Sequence, residues 1–248
     1  MATTIAQPIP AEPPVAPRDG AVSHALPLGT PDARELESVS VEAAWASTGL
    51  VASAETGGRI ARLTRAIQPG NRLATLAARL ALRLRGTRPG PRFFVHGRRP
   101  RFVGQGRISI GARVNLRCDV APVRIEVARG AGVTLADRAF LNTGVQVICH
   151  SAIEIGPHCR IGPDCVLCDT NHHPVHEGSA VRVAPIRLGR NVWLGRGVIV
   201  LPGVTIGDHA VVAAGSVVAS DIPAGQVWRG NPASFVKAVR CSADFVRS

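Results

Sequence analysis

The sequence predicts an all-β protein, a parallel β-helix in which a single chain winds through stacked coils of short strands. Aliphatic residues recur at steps of six, which matches neither the helical period of about 3.6 nor the strand period of about 2. A chain that runs a short strand, turns a corner and repeats gives this period, and three sides make a coil of about 18 residues. The repeated positions are Ile110, Leu116, Leu135, Leu141, Val147, Ile155, Ile161, Leu167, Leu188, Leu194, Val200, Ile206, Val212 and Val218.

Composition and the residues around each repeated aliphatic agree with this fold class. Hydrophobic residues make up 46% of the chain but aromatic residues only 4%, which suits thin layers of small branched side chains. Small or β-branched residues tend to lie four places after the aliphatic. Glycine follows it directly at positions 111, 156, 162, 189, 195 and 207. We expect these glycines to turn the corners, because glycine adopts a positive φ without strain.

The chain divides into four segments. Residues 1–57 begin with a Pro- and Ala-rich stretch that predicts a disordered tail, and Asp32 is placed to cap a short helix ending near Ser47. Residues 58–95 are a basic amphipathic helical segment, residues 96–240 hold the repeats, and residues 241–248 are a C-terminal tail. The first residues lack the features of a secretion signal, and no apolar run is long enough to span a membrane, which favours a cytoplasmic protein.

The positive charge is concentrated before the repeats. Thirteen arginines and no acidic residue lie from Arg59 to Arg107, a stretch called here the basic segment. Because the whole chain carries +12, the other residues sum to about −1 (12 − 13). The helical extension is therefore Arg-rich, and the high isoelectric point belongs to it alone.

The basic segment predicts two helices divided at Pro69-Gly70. Ile60, Leu63 and Ile67 keep helical spacing before this point, and Asn71 is a candidate N-cap after it. The second helix has a predicted apolar face, with arginines at positions 72, 79 and 83 on another face, and "GTRPGPR" ends it. The apolar face consists of Leu73, Leu76, Leu80 and Leu84.

Three roles for the basic segment remain open at this stage. A helical cap would shield the exposed core of the first coil, as terminal repeats require, and would pack on neighbouring copies. Arginine-bearing amphipathic helices also suit contact with anionic lipid, which would make the protein peripheral at the inner face of the membrane. Nucleic acid is disfavoured, because no aromatic residues are interleaved for stacking on bases.

Six cysteines without an export signal predict reduced thiols. Cys159, Cys165, Cys168 and His172 have spacing that would suit a zinc site. However, Cys159 and Cys165 occupy the small-residue place of successive repeats and should point inward from different sides of the coil. We therefore expect no metal.

Several motifs give the chain a recognisable resemblance. "IGPHCRIGPDCVL", "LGRNVWLGRGVIVLPGVTIGDHAVVAAGSVVASDIPAGQVWRGNPASFVK" and the interruption "CDTNHHPVHEG" resemble the hexapeptide-repeat acyltransferases, in particular the maltose/galactoside O-acetyltransferase branch. The resemblance covers about residues 108–240. It implies a left-handed β-helix, a homotrimer, and acetyl-CoA bound in the groove between neighbouring coils.

The interruption lies between Leu167 and Leu188, so adjacent coils hold a polar loop outside the solenoid. Histidine can both accept and donate a proton near neutral pH, and acyl transfer from a thioester needs both steps. The resemblance implies that the general base is His173, the residue before Pro174, with His172 as the next candidate. His176 matches the second histidine of the motif, which is usually not catalytic.

Other polar residues are assigned with less support. Asp169 or Glu177 would hold the imidazole tautomer, although a backbone carbonyl would serve equally. Asn142 lies where the resembling enzymes have an active-site asparagine, which would bind the acceptor or a developing oxyanion. An asparagine that only stabilises a corner turn is the alternative for this position.

The resemblance also implies five cofactor-binding positions, and they match the family less closely. Ala214 and Ala219 correspond to residues whose backbone meets the pantetheine arm, and Gly195 leaves room for the backbone to approach. Arg196 replaces a small polar residue. Lys237 would lie near the nucleotide. The family's other basic residue in this region is Ser234 here, so Arg229 or Arg240 would have to substitute.

The sequence thus predicts an acetyl-CoA-dependent O-acetyltransferase acting on a hydroxyl of a sugar or glycan precursor. An N-acetyltransferase, or a serine or antibiotic acetyltransferase, is the alternative on the same scaffold. A trimeric scaffold without activity is the alternative outside enzymes. Gamma-class carbonic anhydrase is disfavoured, because its spaced histidine pair is absent and His150 with His172 and His173 leaves the ligand set incomplete.

Overall fold

The computed structural model describes residues 69–242 and 244–247. A single helix, α1 (Pro69–Leu84), precedes a run of short strands in this part of the chain. The predicted tail over residues 1–57, the helix from Asp32 to Ser47 and the helical spacing from Ile60 to Ile67 lie outside the described residues. Within the described residues no helix is long and apolar enough to cross a bilayer.

The strands form three sheets that follow one another in strict rotation. Sheet A contains β1 (Phe94–Gly97), β4 (Asn115–Cys118), β7 (Phe140–Leu141), β10 (Arg160–Ile161), β13 (Trp193–Leu194), β16 (Val211–Val212), β18 (Gln226–Gly230) and β19 (Ala233–Ala238). Sheet B contains β2 (Arg101–Gly104), β5 (Arg124–Val127), β8 (Gln146–Cys149), β11 (Val166–Cys168), β14 (Ile199–Val200) and β17 (Val217–Val218). Sheet C contains β3 (Arg107–Ile110), β6 (Gly132–Leu135), β9 (Ala152–Ile155), β12 (Ile186–Leu188) and β15 (Thr205–Ile206).

Each strand pairs in parallel with the strand of the same sheet in the next coil, which confirms the predicted parallel β-helix. The antiparallel hairpin of β18 and β19 is the exception, at the C-terminal end of sheet A. The turns between sheets are called here the A–B, B–C and C–A corners. Three sheets joined by three sets of corners make a three-sided prism.

The predicted aliphatic columns form the core of this prism. In sheet A, successive coils place Leu116, Leu141, Ile161, Leu194 and Val212 directly opposite one another, and all five are buried. Most of the small or β-branched residues four places after an aliphatic are buried as well, such as Val114 and Ala210, whereas Val120 is exposed. The six-residue period therefore reflects inward-facing side chains that stack from coil to coil.

The predicted reason for glycine after the aliphatic residue is wrong. Positive φ occurs two residues later, for example at His158 (φ 62) and Asn191 (φ 56), and not at Gly156 or Gly189. A Cβ atom on Gly156 would lie 2.2 Å from the carbonyl oxygen of Gly189 in the next coil. These glycines are required because the next coil passes too close for a side chain.

Helix α1 closes the N-terminal end of sheet A. The Gly97 N–H donates to Oδ1 of Asn71 at 2.8 Å, and the Val95 N–H donates to Oγ1 of Thr75 at 3.0 Å. Both donors belong to β1, the edge strand, whose outer side has no further strand to pair with. The helix thus satisfies backbone groups that an open edge would leave unpaired.

The residues after α1 continue this cap over the other two sheets. Nη1 of Arg85 donates to the carbonyl oxygen of Phe102 in β2 at 3.2 Å. The hydroxyl of Thr87 donates to the carbonyl oxygen of Ile108 in β3 at 2.7 Å. Contacts to the edge strands of all three sheets support the capping role among the three that the sequence left open.

The structure corrects one prediction for α1 and shows which side of the helix is buried. Asn71 lies inside the helix and binds β1, so it is not the N-cap. The four leucines do not face the core: their exposed fractions run from 57% to 81%, whereas the helix buries Ala74, Ala78 and Leu82. Small side chains on this face let the helix approach β1 closely enough for Asn71 and Thr75 to reach its backbone.

The helix ends at the predicted place, just before "GTRPGPR". Gly86 has φ +74, its N–H donates to the carbonyl of Arg83 at 2.9 Å, and the Thr87 N–H donates to the carbonyl of Leu82 at 2.9 Å. This pair of bonds is a Schellman motif, which favours glycine at the residue of positive φ. The first strand then begins at Phe94, two residues before the predicted start of the repeat domain at residue 96.

Replacing Asn71 tests the cap. We expect Asn71→Ala to lower the free energy of unfolding by about 1–3 kcal/mol, because the part-buried Gly97 N–H loses its acceptor. Chemical denaturation would measure the change. Arg72→Ala, at the neighbouring exposed position, is the matched control and should stay within about 0.5 kcal/mol of the parent. Equal losses in both variants would contradict the capping role of Asn71.

Candidate functional site

The interruption of the repeats is a loop held at a narrow neck. Residues 169–185, called here the histidine loop, leave β11 in sheet B and return to β12 in sheet C. Thr170 and Val183 form an antiparallel bridge, and the Asn171 N–H donates to the carbonyl of Arg182 at 3.0 Å. Residues 171–183 beyond this neck are exposed. The loop is therefore a hairpin projecting from the B–C corner.

Asp169 anchors the neck to the preceding coil. Its side chain is fully buried, and its carboxylate accepts the N–H groups of His150 at 2.6 Å and Ser151 at 2.8 Å. Hydrogen bonds of this kind to a charged acceptor are among the stronger ones in proteins. Both carboxylate oxygens are thus engaged with backbone, so the expectation that Asp169 orients the His173 imidazole is not supported.

His172 folds back against the neck. It has φ +59, and its N–H donates to Oγ1 of Thr170 at 3.0 Å. Its Nε2 lies 3.7 Å from Sγ of Cys168, and its ring meets the ring of His150 edge-on with centroids 5.2 Å apart. The sequence named Cys168 and His150 together with His172 only as metal-ligand alternatives and did not predict that they pack around the His172 ring. The pairing of Cys168 with Ile148 in the preceding coil brings His150, two residues further on, to this ring.

His173 lies further out on the exposed part of the loop. Its N–H donates to the carbonyl of Asn171 at 2.7 Å, which makes a tight turn before Pro174. Its ring has no hydrogen-bonding partner among the residues that the structure describes, and no ion pair joins it to Glu177 there. The structure therefore gives no support to Glu177 as the orienting carboxylate. His176 closes a separate turn, in which the Ser179 hydroxyl donates to its carbonyl at 2.8 Å.

Cys168 is a protonated thiol at this site. Burial raises its pKa above the ordinary value, and Sγ donates to the carbonyl oxygen of Thr170 at 3.1 Å. Because the thiolate is the reactive form of cysteine, this environment does not suit a covalent nucleophile. The proton chemistry available in the loop therefore rests on histidine.

Three of the predicted cofactor positions stack on the A–B corner. Gly195 lies one coil below Ala214, and a Cβ atom on Gly195 would be 2.6 Å from the Ala214 nitrogen. Arg196 is exposed beside them, and its Nη1 forms an ion pair with Oδ2 of Asp164 at 2.9 Å. The A–B corner thus carries a narrow column of small residues, and the charge of Arg196 beside it is paired with Asp164.

The other two predicted cofactor positions lie elsewhere on the prism. Ala219 follows β17 at the B–C corner, in the same column as the histidine loop. Lys237 lies on β19, opposite Val227 of the C-terminal hairpin. The predicted cofactor positions at the A–B corner and at the B–C corner thus lie on the two sides of sheet B, and Lys237 lies on the hairpin at the C-terminal end of the prism.

Asn142 also lies at the A–B corner, apart from the histidines. Its Oδ1 accepts the Thr143 N–H at 2.8 Å, which is the corner-stabilising role that the sequence left open. The four-residue strand β8 separates this corner from the B–C corner, a span of roughly 13 Å along the strand. Asn142 and the two histidines thus belong to different corners, and no hydrogen bond joins them in the described part of the chain.

The cysteines of the zinc alternative serve the core. Cys159 and Cys165 are fully buried, and their thiols donate to the carbonyls of Gly189 and Gly195 in the next coil, each at 3.0 Å. Burial raises the pKa of each thiol to about 12. They precede strands of different sheets, so they do not converge on His172. All six cysteines are free.

Comparison with known proteins agrees with this architecture of repeated coils. The family model for bacterial transferase hexapeptide (six repeats) matches residues 185–220. Galactoside O-acetyltransferase of Escherichia coli K12 is 32% identical over 113 residues, covering 44% of this chain and 56% of the relative. The putative colanic acid biosynthesis acetyltransferase WcaF of the same organism is 34% identical over 127 residues, covering 51% of this chain and 69% of the relative.

A solved structure gives the same fold. A variant of AntD, an N-acyltransferase from Bacillus cereus in complex with dTDP and coenzyme A, superposes with a TM-score of 0.52 at 17% identity, covering 62% of this chain and 84% of that chain. The fold, the family match and the relatives together define a hexapeptide-repeat protein of the transferase type. The chain belongs to the bacterial hexapeptide-repeat transferase family, and it spans just over half of galactoside O-acetyltransferase.

Replacing Asp169 tests the anchor of the loop. We expect Asp169→Asn to lower the free energy of unfolding by about 1.5–3 kcal/mol, because the amide presents a donor to one of two backbone N–H groups. Denaturant titration would measure it. Glu177→Gln makes the same chemical change at an exposed position of the loop and should leave stability within about 0.5 kcal/mol. Indistinguishable midpoints for the two variants would show that Asp169 does not hold the neck.

Proposed function

We propose that the protein is an acetyl-CoA-dependent O-acetyltransferase acting on a hydroxyl of a sugar or glycan precursor. The observation that carries the proposal is the histidine loop, a His-Pro hairpin anchored on a hexapeptide-repeat prism. Two curated relatives above 30% identity are named as a galactoside O-acetyltransferase and a putative colanic acid biosynthesis acetyltransferase, which supports a saccharide acceptor.

In the proposed reaction, His173 acts as the general base. A hydroxyl oxygen of the acceptor attacks the thioester carbon, the carbon–sulfur bond breaks, and the sulfur leaves with the bonding electrons. His173 removes the hydroxyl proton during the attack and can return it to the leaving sulfur. A neutral imidazole has an unprotonated ring nitrogen that can accept this proton. The absence of a ring partner for His173 in the described structure suits this role better than the contacts of His172.

The acetyl-CoA would lie along the outer face of sheet B. Gly195 and Ala214 would let its pantetheine arm approach the backbone at the A–B corner, Ala219 would flank it at the B–C corner, and Lys237 would meet the nucleotide. Arg196 is already paired with Asp164, so it would contact phosphate only by leaving that ion pair. Arg229 is exposed on the C-terminal hairpin and is the alternative cation.

The separation of Asn142 from the histidines supports a shared site in a homotrimer. Within one chain a strand of sheet B separates the two corners, so Asn142 of one copy would meet the histidine loop of its neighbour. Asn142 would then bind the acceptor or the developing oxyanion. An incomplete site in the single chain makes assembly a condition of activity.

Replacing His173 tests the base. We expect His173→Ala to lower the rate of acetyl transfer roughly 10²- to 10⁴-fold, the range for losing a positioned general base. Release of free coenzyme A would be measured across sugars, amino sugars and serine, which also separates O-transfer from the N-transfer alternative. Binding of acetyl-CoA should change little, because the proposed groove consists mainly of backbone and small side chains.

The other loop histidines are the matched controls. His172→Ala and His176→Ala should retain most of the activity. Loss of activity in His172→Ala with a working His173→Ala would move the base by one residue. Full turnover in all three variants would remove the proposed site, and no thioester cleavage by the parent with any acceptor would favour the inactive scaffold.

The assembly is tested by molar mass. We expect light scattering to give about three times the 26.0 kDa chain mass, because the proposed site needs two copies. Trimers assembled from a mixture of the Asn142→Ala and His173→Ala chains should regain activity. At some interfaces the intact Asn142 of one copy then meets the intact His173 of its neighbour. A monomer that transfers acetyl groups at full rate would refute the shared site.

A further inference from the structure

The outer side of α1 carries an apolar surface that the fold does not use. Leu73, Leu76, Leu80 and Leu84, called here the leucine face, are exposed by 68%, 64%, 57% and 81%. Single exposed leucines are ordinary on protein surfaces, but four on one helix face form a continuous patch of the kind that marks an interaction site.

The leucine face is independent of the capping role. The cap uses Asn71 and Thr75, and the helix packs through Ala74, Ala78 and Leu82. The centre of this packed side lies roughly 150° around the helix axis from the centre of the leucine face. The leucines therefore point away from the prism, and the closure of sheet A does not explain them.

Charge beside the leucine face restricts what can cover it. Arg72 and Arg83 are exposed, and with Arg79 they follow one edge of the face. The basic segment around them holds thirteen arginines and no acidic residue from Arg59 to Arg107. The occupant must be apolar where it meets the leucines and negatively charged beside them.

We propose that the leucine face docks the protein on an anionic lipid bilayer. A helix lying in the plane of the membrane would insert its leucines at the boundary between headgroups and acyl chains, while the flanking arginines contact lipid phosphates. An anionic bilayer offers both required chemistries across one surface. The capping bonds to β1 hold the helix against the prism, so the leucines are presented outward without unfolding any other element.

A second copy of the chain fits the leucine face less well. A two-fold contact through this face would bring the arginine rows of both copies into the same interface with no acidic residue of the basic segment to pair them. Inside the chain, residues 1–58 carry seven acidic residues and two arginines, so this segment is the competing occupant. The experiment must separate all three.

The test is co-sedimentation of the full chain with vesicles. We expect binding to phosphatidylcholine vesicles that contain phosphatidylglycerol and little binding to phosphatidylcholine alone. Leu76→Gln/Leu80→Gln should weaken binding roughly tenfold or more, because each leucine loses its apolar contact with the acyl region. Val120→Gln, at an equally exposed apolar position on a coil corner, is the control and should bind like the parent. Arg72→Glu/Arg83→Glu should abolish the preference for phosphatidylglycerol.

Each contrary outcome overturns the proposal and has a distinct meaning. Unchanged vesicle binding in the leucine variant would mean that charge attraction alone, without insertion of the leucines, binds the protein to the vesicles. A lower molar mass in the leucine variant would identify a second copy as the occupant. Vesicle binding that appears only after deletion of residues 1–58 would identify that segment instead. The substituted leucines are exposed, so the variant should keep the unfolding midpoint of the parent, and acetyl transfer to a soluble acceptor is not involved in the readout.

Discussion

The close vertical stacking of coils is the constraint on which the structure depends. Hydrogen bonds between parallel strands fix neighbouring coils at about 4.8 Å, so each backbone position lies directly under its equivalent in the next coil. Gly156 beneath Gly189 and Gly195 beneath Ala214 show how little room this spacing leaves at the corners. The same spacing turns the repeated aliphatics into continuous buried columns and buries the thiols of Cys159 and Cys165 between layers.

A stacked solenoid must be closed at its ends, and here one short segment closes the first coil. Asn71, Thr75, Arg85 and Thr87 reach the edge strands of three sheets. Polar side chains thus do at the edge what the next coil does elsewhere. This requirement fixes which side of α1 faces inward, and it explains why small residues and not leucines are buried there.

The histidine loop uses a device that recurs along the prism. Asp137, Asp208 and Asp221 each accept a backbone N–H from the preceding coil, and Asp169 does the same with two bonds at the loop neck. A loop fixed in this way can hold an exposed imidazole without a second carboxylate beside it. In the proposed homotrimer, the histidine loop of one copy and the A–B corner of its neighbour would complete the site.

The sequence by itself determined the fold class, the core and the place of the loop, because a six-residue period encodes the stacking directly in residue spacing. It could not determine which side of α1 faces inward, since leucines and alanines both follow helical spacing and the choice depends on how closely β1 approaches. It also did not predict the packing of His172 against His150 or the role of Asp169, which join adjacent coils about twenty residues apart. Only tertiary structure decides such contacts, because they depend on the register of stacked strands and on backbone N–H groups that the residue pattern does not reveal.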